Sequence, residues 1–529
     1  MRIAVVDVLA RASGRRYATF DVVGSGPRHV AGVAEKYGDV VFVPFEKLHG
    51  GATKGFDLDV IFISAMSSDY GALEKAVSII RSARYSGPIV VGGPISLEYP
   101  KLLTRLNIDF VIVGEGEIPV ETYLKNLKSG NSLITNVPAL AYREGNQIKL
   151  TSKPIHIPKE VLAQIKPWTR VSEAYDYPQV YRFYVEVVRG CSNYYRPMIK
   201  TRRFNCIECY RCRSPILYNR IYCPANIPPG CGFCSVPAIF GYPRSRPVKS
   251  IKEEVEELIA HGARRIVLSA PDFLDYMREE LVNSQVLTDP CYPPPNIDAI
   301  EDLLNELHSI EYVKEGKAVI MVENIKACLV NEEVSKVLGH YLKGTTVHIG
   351  LETACDWYNE RVLGKPIYLN HVVKACKLLV ENGIRPYVYL MYNLPFATKS
   401  VYEETLRALP LLEAIGVEKI TLYKFLRLPG TAFEEVEAGK TDEKLLAEIK
   451  NQVGKYNLSV KRRLLGEKIV VYLVESGGKT YGYPVKHGPV VFVKNMPRGM
   501  QVSGCKGVVR VVDVSDRYVV GVFLRILEC

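Results

Sequence analysis

Nowhere in this 529-residue sequence do about 18 apolar residues run together, a shortage that excludes a helical membrane span. The opening stretch MRIAVVDVLARASG reads as a strand and lacks the small-residue cleavage site of a secretory leader. The sequence therefore predicts a cytoplasmic protein with no membrane partner. Cysteine is thin over most of the chain: of 13, seven crowd between Cys191 and Cys234. Such crowding in an intracellular chain points away from a disulfide framework and toward metal ligation. The scattered remainder, Cys291, Cys328, Cys355, Cys376, Cys505 and Cys529, read as buried inert thiols. What is present is ordinary for a globular chain, 47% hydrophobic and 24% charged, and the length implies roughly two to four domains rather than one core.

Negative charge is nearly absent from one stretch. Between residues 192 and 230 a single acid, Glu208, faces seven bases (Arg196, Lys200, Arg202, Arg203, Arg211, Arg213, Arg220), so this segment carries a net +6 of the chain's +11. Tyr194, Tyr195, Phe204, Tyr210, Tyr218 and Tyr222 are interleaved with those bases. Cations mixed with flat rings suit phosphate contact and base stacking, with Arg202, Arg203, Arg211 and Arg213 as candidate RNA contacts. The same cations can instead balance the thiolates of a metal site.

Residues 1–126 alternate strand-like runs (RIAVVDV, DVVFVPF, DVIFISA, PIVVGG, FVIVGEGE) with helical patterns such as ALEKAVSIIRSARYSG. That alternation predicts an α/β, Rossmann-like doubly wound sheet, whose ligands bind at the carboxyl ends of the strands. Gly92, Gly93, Gly114, Glu115 and Gly116 fall at such ends. The phrase GGP…YP…DFVIVGEGE resembles the cobalamin-binding domain that precedes many radical S-adenosylmethionine (SAM) enzymes, and the resemblance implies that these five residues face cobalamin. The Asp-x-His-x-x-Gly stretch that gives cobalt an axial histidine in the wider family is missing, the early region reading TFDVVGSGPRHVAG. The domain therefore either binds cobalamin without a protein histidine or is a scaffold.

After a linker, 127–180, residues 181–463 carry the chemistry. YVEVVRG ends at Cys191, and GCGFC supplies Cys231 and Cys234. Deleting 192–230 would leave RGC-CGFC. The section resembles the radical SAM superfamily, in which three cysteines hold a 4Fe-4S cluster and leave one iron open to chelate SAM. One electron then cleaves the sulfonium and releases a 5'-deoxyadenosyl radical. GARRIVLSAPDF resembles the second strand with its SAM-contacting turn, Ser269 to Asp272. HIGLETACDWYNERVLGKP resembles the strand ending in a SAM-binding glutamate, here Glu352, and Phe233 stands where the adenine edge would lie. YVYLMYNLPFATKSVYEET departs from the family's GLPGET turn, while LYKFLRLPGTAF resembles its closing strand. The implied fold is a partial (β/α)6 barrel with the cluster at its strand ends.

The insert 192–230 adds Cys206, Cys209, Cys212 and Cys223. C-x2-C-x2-C followed by a later Cys-Pro is the run by which ferredoxins hold a cube, so a second 4Fe-4S cluster is expected, with zinc as the alternative. A rival partition gives Cys223, Cys231 and Cys234 to SAM and returns Cys191 to the insert; the strand-end RGC favours Cys191.

Residues 464–529 read as short alternating strands, a small β-barrel with nine bases against five acids. It resembles the TRAM domain appended to tRNA methylthiotransferases and tRNA uridine methyltransferases. The sequence as a whole predicts a radical SAM enzyme that modifies a nucleotide in RNA, most simply tRNA, by methyl or methylthio transfer, with ferredoxin or flavodoxin as electron donor. The alternatives are a C-methylase or rearrangement enzyme acting on a lipid, cofactor precursor or peptide, and a non-catalytic iron-sulfur protein that binds RNA.

Overall fold

The apolar β-rich runs of the amino-terminal region all become strands. The structure, a computed structural model, describes residues 1–14, 20–48, 57–130, 134–283, 286–497 and 499–529. The chain gathers into two units, Met1–Glu186 with Arg246–Ile266, and Val187–Ser245 with Val267–Cys529.

In the first unit, β1 (Arg2–Asp7), α1 (Ser25–Ala34), β2 (Asp39–Pro44), β3 (Val60–Ser64), α2 (Tyr70–Ser82), β4 (Ile89–Gly92), α3 (Tyr99–Arg105), β5 (Phe110–Ile112) and α4 (Glu117–Lys128) follow in order. The sheet runs β2-β1-β3-β4-β5 in parallel, then continues through an antiparallel hairpin, β6 (Leu140–Glu144) and β7 (Gln147–Leu150). The hairpin is what LAYREGNQIKL encodes: alternating residues around a turn in which Gly145 takes φ +59°. Burial of both faces explains the near-continuous Val/Ile runs. A further helix, α5 (Val248–Ala260), belongs to this unit, where its buried Glu254 sits between Arg28 (2.7 Å) and Arg246 (2.6 Å). Burial opposes the charge on Glu254, yet the two guanidinium groups hold its carboxyl below the usual range.

The second unit carries the β/α repeat: β8 (Val319–Val322), α6 (Glu332–Leu342), β9 (Thr346–Glu352), α7 (Leu369–Glu381), β10 (Arg385–Tyr392), α8 (Lys399–Ile415) and β11 (Lys419–Lys424). β9, β10 and β11 pair in parallel, and an Asn324–His348 bridge links the end of β8 to β9. Ile199, Phe204 and Ile227 of the insert pack with Tyr358, Leu363 and Phe433, so the insert shares this unit's apolar core. The last five strands, β12 (Lys468–Ser476), β13 (Lys479–Pro484), β14 (Val491–Lys494), β15 (Lys506–Val514) and β16 (Val519–Glu528), close into a barrel in the order β12-β13-β14-β16-β15 around Leu473, Val491 and Val509.

One expectation is corrected. Cys355 and Cys376 are buried thiols, but Cys291–Cys328 and Cys505–Cys529 are disulfides, with Cα atoms 5.5 and 4.0 Å apart. The partners lie 37 and 24 residues apart in sequence, so only the folded chain brings them within bonding reach. No helix among the described residues is long and apolar enough to cross a membrane.

Candidate active site

The interrupted cysteine loop is whole in space. Gly190 (φ +91°) turns the chain off its strand where a Cβ would lie 2.3 Å from the Tyr242 carbonyl, so only glycine delivers Cys191 there. Asn193, two residues on, is buried; its Nδ2 donates to Cys231 Sγ (3.2 Å) and to the Gly364 carbonyl (2.9 Å), while its backbone N–H donates to Cys191 Sγ (3.4 Å). The Gly230 N–H then donates to the Tyr195 carbonyl at 2.8 Å. The two feet of the excursion are therefore pinned together, and Cys191, Cys231 and Cys234 converge as they would in a short loop. This geometry supports Cys191 over Cys223 as the third member of the set.

Burial dominates the electrostatics of these thiols. It pushes Cys231 up to about 11 and Cys234 up to about 12, and raises Cys191, with the Lys365 ammonium pulling the first two back and Lys326 the third. Thiols of that kind stay protonated in the bare protein and yield their protons to a metal. Three sulfurs on one glycine-shaped loop, with amide donors on two of them, fit a cube that keeps one iron open.

Around this loop the sequence reading missed a buried charged cluster. Lys326 Nζ donates to Ser192 Oγ (2.8 Å), Asp272 Oδ2 (2.9 Å) and Asp275 Oδ2 (2.8 Å), and Asp275 also pairs with Arg278. Burial works against the ammonium, but the two carboxylates hold its proton far above the usual lysine range. Asp272, expected to touch SAM, is fully buried; it bonds the Leu274 and Lys326 N–H groups and steers Lys326. Ser269 accepts from the Val187 N–H through its carbonyl (2.9 Å). Lys326 follows a strand end as MVENIK, a placement that could have flagged it.

Glu352 ends β9 with φ +64°, beside a register slip, and its Oε1 lies 2.5 Å from Lys365 Nζ. A non-glycine residue held left-handed at a strand end is the strained arrangement that functional sites tolerate. Phe233 packs at the edge of the Phe433 core.

The four insert cysteines share one cavity. Cys206, Cys209, Cys212 and Cys223 line about 380 Å³ of space free of protein atoms, solvent-facing part included, with Arg196 and Tyr222. Glu208 (φ +50°) and Tyr210 (φ +56°) bend the backbone around it. Arg196 is buried and donates to the carbonyls of Ile227 (2.7 Å), Tyr194 (3.2 Å), Arg220 (2.6 Å) and Ile221 (2.9 Å), replacing secondary structure that the segment lacks. Among the described residues no three His, Cys, Asp or Glu side chains close on a single ion. Four thiols gathered on one segment can serve a cube or a tetrahedral zinc.

The structure divides the candidate RNA contacts. Arg202 is exposed, and Arg211 is exposed over the Tyr222 ring at 5.3 Å. Arg203 pairs with Glu434 (3.0 Å) and Glu435 (3.1 Å). Arg213 is largely buried against Glu360 and the Tyr195 ring.

In the first unit, Gly93 (φ +86°) would place a Cβ 2.7 Å from the Ala65 carbonyl, whereas at Gly92 and Gly116 the nearest atoms would be 4.0 and 3.8 Å away. The carboxyl edge of the sheet thus keeps a bare cradle that side chains would fill, which fits a large planar cofactor. Gly114 N–H donates to Ser96 Oγ (3.2 Å), and buried Glu115 accepts from the Ile157 N–H (3.0 Å). His29 is also buried on α1, 3.2 Å from Glu117.

Residues 222–409 match the radical SAM superfamily and residues 18–124 the B12 binding domain. An uncharacterized protein of Methanocaldococcus jannaschii is 35% identical over 537 residues, covering 100% of both chains. A putative methylthiotransferase of the same organism is 26% identical, over 56% of this chain and 53% of its own. Among solved structures, the radical SAM methyltransferase TsrM from Kitasatospora setae, which holds cobalamin and a 4Fe-4S cluster, superposes with a TM-score of 0.56 at 13% identity, covering 82% of this chain and 74% of that one.

Proposed function

This chain belongs to a family of radical SAM enzymes that carry a B12-binding domain, and from that premise we propose that it transfers a methyl group to a nucleotide in RNA, tRNA in the first place. The observation that carries the RNA reading is the outer face of the insert. Tyr210, Tyr218 and Tyr222 are 51%, 65% and 59% exposed there, beside exposed Lys200, Arg202 and Arg211. Rings left bare among cations stack bases and meet phosphates. The net +4 of the closed C-terminal barrel adds a second basic surface.

The cofactors are a 4Fe-4S cluster, SAM and cobalamin. When bound, the cluster supplies one-electron chemistry at the sulfonium of SAM and cobalamin supplies a methyl carrier. In our reading Cys191, Cys231 and Cys234 hold the cluster, and Asn193 fixes two of their sulfurs. Glu352, oriented by Lys365, takes the ribose hydroxyls, and Phe233 flanks the adenine. Lys326 anchors Ser192, so the residue after the first ligand does not move. Gly92, Gly93, Gly114 and Gly116 leave room for cobalamin without a protein ligand to cobalt. The insert thiols hold a second cube, and the donor of electrons is a ferredoxin or flavodoxin.

That second cube favours one other reading, methylthio transfer, because the four-cysteine cavity opens beside the same loop. Mass spectrometry of tRNA nucleosides from a deletion strain tests both. Loss of one methylated nucleoside is expected; loss of a methylthio nucleoside selects the second reading. An unchanged nucleoside profile, with no RNA bound to the purified protein, overturns the RNA substrate.

A further inference from the structure

The interior face of the β/α repeat is polar where barrels are usually filled with apolar side chains. Along β9 and β10 the alternation is strict: Val347, Ile349, Leu351, Val388 and Leu390 are fully buried on one face. The other face carries His348 opposite Tyr387, Gly350 opposite Tyr389, and Met391 opposite Tyr423 of β11. At Gly350 a Cβ would come 2.4 Å from Glu352 Oε1 and 2.5 Å from Lys365 Nζ and would displace that pair. The Glu352–Lys365 pair therefore lies directly over this face.

Glu323, just past the end of β8, reaches the same face, its Oε1 3.5 Å from His348 Nδ1. The His348 ring stacks on Tyr387 (centroids 5.3 Å, 19°), and Tyr389 meets Tyr423 edge to face (5.2 Å, 90°). Glu323 keeps 25% of its side-chain surface open and Tyr423 is 48% exposed, so solvent enters from the strand ends. Burial raises both Tyr389 and Tyr423, which keeps the two phenols neutral and able to donate.

We propose that this recess, formed by Glu323, His348, Tyr389 and Tyr423, receives the target base and selects guanine. The proposal rests on the RNA reading above and names the base within it. A carboxylate offers two acceptor oxygens with room for several bonds and no donor, so its best complement is an edge with two adjacent N–H groups. Among the four standard bases guanine alone presents that edge, at N1 and the 2-amino group. His348 orients Glu323, the exposed ring of Tyr423, braced edge to face by Tyr389, borders the base on one side, and the Glu352–Lys365 pair closes the face on the side of the cysteine loop.

Calorimetric titration of the reconstituted full-length protein with GMP, AMP, CMP and UMP, and separately with tRNA and SAM, tests this. GMP is expected to bind tightest, Glu323→Gln to weaken it by about tenfold or more, and SAM affinity to stay unchanged. Tyr423→Leu, at a half-exposed position, gives an independent variant that should weaken GMP without altering the thermal unfolding transition. Equal affinity for all four nucleotides, or GMP binding indifferent to both substitutions, overturns the recess while bound tRNA leaves the RNA reading standing. Failure of tRNA and every nucleotide to bind sinks both.

Discussion

Two groups of cysteines only a few residues apart are built in opposite ways. The three-cysteine loop is tied by Asn193, Gly190 and the Tyr195–Gly230 contact, so protein groups on both sides of the excursion hold its thiols in place. The four-cysteine insert has short 3-10 turns, two buried arginines, Arg196 and Arg220, and an exposed Cys209. A segment with so few backbone ladders and so much open surface gains most of its order from what its thiols hold. On the proposed assignment, the first site is a frame that receives a cluster, and the second is ordered by the metal its thiols would hold.

The largest test of that contrast removes ligands. Cys231→Ala with Cys234→Ala should abolish reductive cleavage of SAM while the iron of the insert stays bound. The triple alanine at Cys206, Cys209 and Cys212 should lose one cube's worth of iron, about four atoms, and open the insert to limited proteolysis. Iron equal to a single cube in the intact protein, with stoichiometric zinc, would end the two-cluster assignment. If the triple variant resists protease as the parent does, the insert does not depend on its metal.

Next in size is Asn193→Ala. Leaving buried partners unpaired costs roughly 1–3 kcal/mol, so iron in the three-cysteine site should be lost faster to a chelator while insert iron is held as before. Glu352→Gln should follow, weakening SAM binding in equilibrium dialysis without changing iron content. Equal chelation rates at both sites, or unaltered SAM affinity, would contradict these roles.

Thiol chemistry sharpens the comparison further. In apoprotein near neutral pH, iodoacetamide should modify exposed Cys209 well before Cys231 or Cys234, whose thiols sit at about 11 and about 12 because they are buried. Raising the pH through that range ionises them against their surroundings. A folded value above the unfolded one means stability that is present below pH ~9 and lost above it, so Cys234→Ser should flatten the alkaline loss seen by circular dichroism.

The smallest effect belongs to the surface. Neutralising Arg202 and Arg211 should each lower the slope of log tRNA affinity against log salt by roughly 0.7 to 0.9. Arg213→Ala should instead loosen the insert, since that side chain is spent on Glu360. An unchanged slope after the Arg202 and Arg211 changes would assign the insert's cations to its thiols alone.

Most of the architecture was legible because its signals are periodic. Runs such as VIFIS and PIVVGG bury both faces and can only be central parallel strands, and the apolar run VVYLV places Val471 and Leu473 in the barrel core. RGC and GCGFC located the three-cysteine loop because the turn geometry demands glycine beside Cys191 and Cys231. Lys326, Asp275 and Asn193 escaped notice because their roles come from partners between 38 and 171 residues away. The net +6 of the insert does not all reach its surface, because Arg196 and Arg220 are buried among carbonyls and leave the outer face with fewer charges.

By itself the sequence determined what depends on local spacing: the doubly wound sheet, the cysteine loop, the glutamate at the end of β9 and the closing barrel. Backbone sterics, side-chain period and turn chemistry act over a few residues, and these features need nothing more. Only the tertiary structure decided that Cys191 rejoins Cys231 across a 39-residue excursion, that two pairs of apparently inert thiols are disulfides, and that Glu323, His348, Tyr389 and Tyr423 meet on one face of the strands. Those are meetings of distant segments, fixed by which faces the packed strands turn toward one another, and no spacing along the chain records them.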